Sequence, residues 1–134
     1  MLQVLKVSNR LSSNQKKFVV EVIGTFIVVV LATGSVVIDD KLGGVLGIPF
    51  IAFAPFVGVT IGVYLFGKVS MAHFNPAVSL GFLITRHINY RQFLYYLGAE
   101  LTGALLASLF VKYLIGSNAS FCLLYTSPSP RDRG

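Results

Sequence analysis

The chain has 134 residues, of which 54% are hydrophobic and only 12% charged, and its mean hydropathy is +0.76. A soluble domain carries about 25% charged residues, so this composition points to a membrane protein with a few spans. The net charge of +6 does not indicate nucleic acid, because the basic residues flank apolar runs instead of forming a patch, and the single Cys122 excludes an internal disulfide framework or a multi-cysteine metal site.

Residues 1–17 form a basic, polar leader. Lys6, Arg10, Lys16 and Lys17 stand among Ser12, Ser13, Asn14 and Gln15. This is a solvated topogenic segment. The first apolar run, "FVVEVIGTFIVVVLATGSVVI" at 18–38, is too long for the core of a cleaved signal peptide and lacks an A-x-A-like site. As a helix it spans about 31 Å, enough for a hydrocarbon core of about 30 Å. Its one charge is Glu21, and Asp39, Asp40, Lys41 and Gly43-Gly44 end it in a turn.

The second span is predicted over 45–67, "VLGIPFIAFAPFVGVTIGVYLFG". Pro49 suits its first turn, and Pro55 should kink it, which is tolerated where neighbours satisfy the freed carbonyl. Gly58 and Gly62 make a small-residue face for close helix packing. The third span is predicted over 92–115. Ala99, Gly103 and Ala107 give it a similar face. Glu100 lies inside it, and Lys112 can snorkel from its end. The tail, residues 117–134, is Ser/Pro-rich and then charged, and reads as disordered. Its Asn118-Ala119-Ser120 sequon is a short match that arises often by chance.

Between spans two and three lies an apolar stretch too short to cross, 75–85, introduced by His73-Phe74-Asn75-Pro76. Seven basic residues (Lys6, Arg10, Lys16, Lys17, Lys68, Arg86, Arg91) lie on one side of the predicted topology, and Lys41 lies in the opposite loop. The positive-inside rule makes the N terminus cytoplasmic, with both ends of the short stretch on that side. It must therefore enter and return. Eleven helical residues span about 16 Å, roughly half the core. Asn75 is a good N-cap and Pro76 a good first helical residue. The helix start brings about half a positive charge to mid-depth, and the Asn75 amide NH₂ remains free to donate. The irregular backbone before it, buried in protein or lining a wet cavity, offers carbonyl acceptors at 71–74. Donors beside an acceptor ladder suit a single-file path for a small neutral solute, with the positive helix end repelling cations. The alternative is a short amphipathic helix on the cytoplasmic surface, for which the segment is poor in charge.

Here the residues resemble a known family. "SMAHFNPAVSLGFLITRHI" at 70–88 resembles the first Asn-Pro-Ala loop of the aquaporin and glycerol-facilitator family, the major intrinsic proteins. "EVIGTF" at 21–26 is similar to the family's first-helix signature, and "GAELTGALLAS" at 98–108 resembles its third helix, with Glu100 where Gln is common. The resemblance covers 18–116. It implies an all-α integral membrane fold. The chain would supply three transmembrane helices plus one re-entrant half-helix, one of two inverted repeats.

The resemblance further implies a passive channel for water, or glycerol and other small neutral solutes, with a pore in each protomer of a homotetramer in the plasma membrane. It implies no cofactor and no reaction. Membrane lipid and the passing solute are the expected partners. Asn75 would donate to the solute, and Pro76 and Ala77 would hold two half-helices together. Ser79 falls where the family often has Thr. Glu21 and His73 would brace the loop. The second-helix filter position falls at Pro55 or Phe56. Phe50, Phe53 and Phe56 share a helical face, which also suits lipid or helix packing. For Glu100, a helix-packing hydrogen bond and a role near the pore both stay open. Read without the family, His73 is a buried structural histidine, since no second ligand stands at metal spacing.

The second Asn-Pro-Ala segment and three further helices of the family are absent from this sequence. The simplest account is a truncated reading joined to unrelated sequence near residue 117. A half-size protein pairing with an inverted copy would need a weak charge bias, and the bias here is marked. Two other functions compete: a non-conducting membrane subunit, and a proton- or ion-coupled transporter fragment using Glu21 or Glu100. An enzyme is disfavoured, because no nucleophile–base pair, metal cluster or phosphate loop is evident.

Overall fold

A computed structural model describes residues 12–115. Residues 1–11 of the basic leader, the 117–134 tail, Cys122 and the Asn118 sequon lie outside the described residues. Within them are four helices, here α1 (Ser13–Lys41), α2 (Gly47–Ser70), α3 (Pro76–Ile84) and α4 (Tyr90–Ile115). Three of these are long and apolar enough to cross a membrane; α3, with nine residues, is not.

Much of α1 is Val and Ile, residues that in water favour strands. In hydrocarbon every backbone group must be satisfied within its own segment, and that requirement makes the run helical. Hydroxyls inside the apolar helices follow the same rule. Thr33 donates to the Val29 carbonyl at 2.7 Å, Thr102 to Gly98 at 2.7 Å and Ser108 to Ala104 at 2.9 Å.

The helix ends depart from those of the apolar stretches, and α3, at Pro76–Ile84, lies within the expected 75–85. Helix α1 begins at Ser13 and not near 18, because Ser12 and Gln15 form a capping box: the Ser12 N–H donates to Gln15 Oε1 at 2.9 Å and the Gln15 N–H to Ser12 Oγ at 3.3 Å. Asn89 and Gln92 do the same for α4 at 3.3 and 2.8 Å, so it starts at Tyr90 and not 92. Helix α2 starts at Gly47 and not 45, continues through Pro55, and passes Gly67 to end at Ser70. Its N terminus is capped from a distance, with Asp39 Oδ1 accepting from the Leu46 and Gly47 N–H groups at 2.9 and 2.8 Å.

Helix α1 is central, packing on α2 and on α4, while α3 rests on α4. Glycines set the close approaches. A Cβ at Gly103 would stand 2.5 Å from the Val22 carbonyl oxygen, and one at Gly58 3.0 Å from Leu31 Cδ1. Ala99 and Ala107, one turn either side of Gly103, are fully buried. Phe26 and Phe110 meet edge-on at 5.4 Å, and Val37 packs with Val111 at the far end of the α1–α4 seam. Most of α2 turns large apolar side chains outward, including Phe53, Phe56, Val63 and Tyr64. That distribution suits a lipid or protein environment and not water.

Candidate functional site

The polar groups of the interior converge on residues 70–79. Met71 ends α2 in the left-handed region (φ 68°). Ala72 (52°) and Phe74 (50°) share it, and Asn75 is extended (φ −154°). Non-glycine residues rarely adopt positive φ, so this loop depends on its surroundings. Glu21 on α1 is fully buried and faces it. Its Oε1 accepts from the His73 N–H at 3.0 Å and its Oε2 from the Phe74 N–H at 2.7 Å. Two adjacent backbone donors on one carboxylate hold the loop's N–H groups inward.

The Phe74 ring is the second anchor. It fills the gap between α1 and α2 at Gly24 and Gly62. A Cβ at Gly62 would lie 2.7 Å from the ring, and one at Gly24 would overlap it. Gly62 thus makes room for the loop's own ring, whereas Gly58 four residues earlier lets α2 approach α1.

His73 carries the loop onto α3 and α4. Its ring lies between Tyr96 (centroids 4.3 Å apart) and Phe82 (4.2 Å). Its Nδ1 is 2.8 Å from Ser79 Oγ, and the Ser79 hydroxyl donates to Glu100 Oε1 at 2.6 Å. The Tyr96 hydroxyl donates to the Ser70 carbonyl at 2.6 Å. His73, Ser79 and Glu100 are all buried, and His73 Nε2 and Glu100 Oε2 have no hydrogen-bond partner among the described residues.

Asn75 caps α3, its Oδ1 accepting from the Ala77 N–H at 2.8 Å, and Pro76 is the first helical residue. Asn75, Pro76 and Ala77 are exposed. Ser79, one turn on, is tied to Glu100, ten residues into α4. At 1.5 Å per residue that places Ser79, one turn into α3, about 15 Å along α4, near the middle of that span.

Pro55 and Phe56 sit elsewhere, on α2. Phe56 is 60% exposed and its ring neighbours Phe53 at 5.7 Å. Three contributors escape sequence reasoning: Tyr96, Ser70 and Asp39. Tyr96 had a signal, since it stands one turn before Glu100 on the same face of α4. Asp39 reads locally as a polar stop, and its capping reach over seven residues had no signal.

The sequence that carries this Asn75-Pro76-capped half-helix matches the protein-family model described as "Major intrinsic protein" over residues 8–130. The chain belongs to the major intrinsic protein family. The matched region is wider than the motif-bearing segment 18–116. Among curated relatives, the chain is similar to "Probable aquaporin NIP4-2" of Arabidopsis thaliana, 37% identical over 99 residues, covering 74% of this chain and 35% of the relative. It is also similar to "Glycerol uptake facilitator protein-like 6" of Lactiplantibacillus plantarum, 39% identical over 102 residues, with 76% and 45% covered. "Nodulin-26" of Glycine max is 33% identical over 103 residues, with 77% and 38% covered. The chain therefore spans less than half the length of each of these relatives. Family membership and three apolar helices together make this major intrinsic protein an integral membrane protein.

Proposed function

We propose that this chain forms one half of the wall of a passive channel for water or small neutral solutes such as glycerol. One observation carries the reading. Asn75 is exposed at the start of a half-length helix at mid-depth, with Oδ1 committed to the cap and the amide NH₂ left to donate. The loop before it supplies backbone carbonyls, and the α3 N terminus opposes cations. The relatives' names, aquaporin and glycerol uptake facilitator, support the solute class.

On this reading Asn75 contacts solute, and Pro76 and Ala77 meet the half-helix of a second, inverted repeat. Pro55 or Phe56 contributes to the constriction. Glu21 and His73 brace the loop. The N terminus is cytoplasmic, since seven basic residues lie on that side. The plasma membrane is the site of action and a homotetramer the assembly.

The test is flux through the complete channel in vesicles, driven by osmotic and glycerol gradients. Asn75→Asp retains the capping oxygen but loses the donor. It should fold normally and lower permeability per channel. Unchanged permeability would remove Asn75 from the pore, and a flux that follows an imposed proton gradient would replace the passive channel with a coupled transporter.

A further inference from the structure

His73, Ser79 and Glu100 form a buried hydrogen-bonded chain in which each bond fixes the next. Ser79 has one hydroxyl hydrogen. Where Glu100 is a carboxylate, that hydrogen goes to Oε1, 2.6 Å away. The Ser79 oxygen can then only accept from the ring, so Nδ1, 2.8 Å away, must carry a hydrogen. A neutral imidazole with its hydrogen on Nδ1 has a bare lone pair on Nε2. That nitrogen is buried, in a residue 4% exposed, and unpartnered among the described residues.

We propose that Glu100 is a positioning residue that acts through Ser79 to set the tautomer of His73, so that Nε2 is presented as a hydrogen-bond acceptor, a seat for a donor such as a water molecule. The inference goes beyond the channel reading and does not depend on whether the chain conducts. It assigns a role to the acid at 100 that a packing hydrogen bond alone does not need. Packing requires only that Ser79 and Glu100 touch, whereas the tautomer depends on which of them donates.

The chain has two directions, set by whether Glu100 Oε1 is bare or carries a hydrogen. With a carboxylate at 100, Ser79 donates to it and His73 donates to Ser79. With a proton on Oε1, both bonds reverse: Glu100 donates to Ser79, Ser79 donates to Nδ1, and Nε2 carries the hydrogen. Among the described residues, the other groups facing the ring do not offer Nδ1 a competing partner. Glu21 on α1 is engaged by the His73 and Phe74 backbone N–H groups, and Tyr96 on α4 stacks on the ring while its hydroxyl donates to Ser70. Lys17 on α1 lies by the cleft that Glu21 and Tyr96 line.

The experiment is ¹⁵N spectroscopy of the His73 ring in the intact, detergent-solubilised protein at alkaline pH, where a bare ring nitrogen and an N–H nitrogen resonate far apart. In the wild type, Nδ1 should appear protonated and Nε2 bare. In Glu100→Leu, Ser79 loses its acceptor and its hydroxyl is free to donate to Nδ1, so the hydrogen should move to Nε2 at the same pH. Ser79→Ala should abolish the preference and leave a mixture. A wild-type ring with its hydrogen on Nε2 overturns the proposal outright, even if the variants fail to fold. So does an identical tautomer in wild type and Glu100→Leu.

Discussion

Glu21 and Phe74 are 53 residues apart in sequence, yet a Glu21 carboxylate oxygen lies 2.7 Å from the Phe74 backbone nitrogen. With the His73 N–H on the other oxygen at 3.0 Å, one side chain satisfies two consecutive buried donors. An orphaned buried donor costs about 1–3 kcal/mol. Glu21→Ala, which orphans both, should therefore unfold the loop or prevent stable expression. Glu21→Gln keeps one acceptor and should lose about 1–3 kcal/mol, read as a lower thermal midpoint in detergent. Equal midpoints for Gln and wild type would mean that one of the two bonds contributes nothing.

Glycine substitutions should split by sign. Gly103→Ala puts a Cβ 2.5 Å from the Val22 carbonyl, a backbone atom that cannot rotate away. The helices must separate, at a cost of about 1–3 kcal/mol. Gly81→Ala in α3 meets nothing within 4 Å and should gain about 0.5–1 kcal/mol from the better helix former. Thermal denaturation of the two variants side by side checks both; a stabilised Gly103→Ala would disprove the close α1–α4 approach.

Asp39 holds the start of α2 from the end of α1. Replacing it with Ala removes the acceptor for the Leu46 and Gly47 N–H groups, and loss of a capping side chain costs about 0.5–2 kcal/mol. Asp39→Asn keeps an acceptor oxygen and should recover most of that. Hydrogen exchange at the Leu46 and Gly47 amides should speed up in Ala and not in Asn.

Tyr96→Phe leaves the ring stacked on His73 but withdraws the donor from the Ser70 carbonyl. A loss of about 0.5–1.5 kcal/mol is expected, with the His73 ring unmoved. A displaced His73 ring would show that the hydroxyl, and not the stacking, positions Tyr96.

Three spanning helices were legible because hydrophobic length is a local property that a run such as 18–38 displays directly. The half-helix was legible for a related reason: Asn75-Pro76 is a chemical start signal, and the apolar run after it is too short. Helix ends were less legible. Apolarity stops at Phe18 and Gln92, but the backbone goes on to wherever a polar cap waits, at Ser12 and Asn89. Both capping boxes are written in the sequence, and they, not hydropathy, set these helix starts. The partners inside the site are a different case. His73 finds Glu21 across 52 residues, and the pairing of Phe74 with Gly24 and Gly62 needs three segments at once. No window along the chain holds that information.

The left-handed residues of the 71–74 loop carry a consequence for biogenesis. A ribosome makes this chain from its N terminus, so Glu21 is synthesised before His73 and Phe74, and the brace precedes what it braces. Tyr96 and Glu100 are synthesised later. Until α4 enters, the Ser70 carbonyl and the Ser79 hydroxyl lack the partners they have in the finished structure. Insertion of α4 is thus the event that completes the loop, and a nascent chain halted before residue 100 would present quality control with a half-satisfied polar segment inside the membrane.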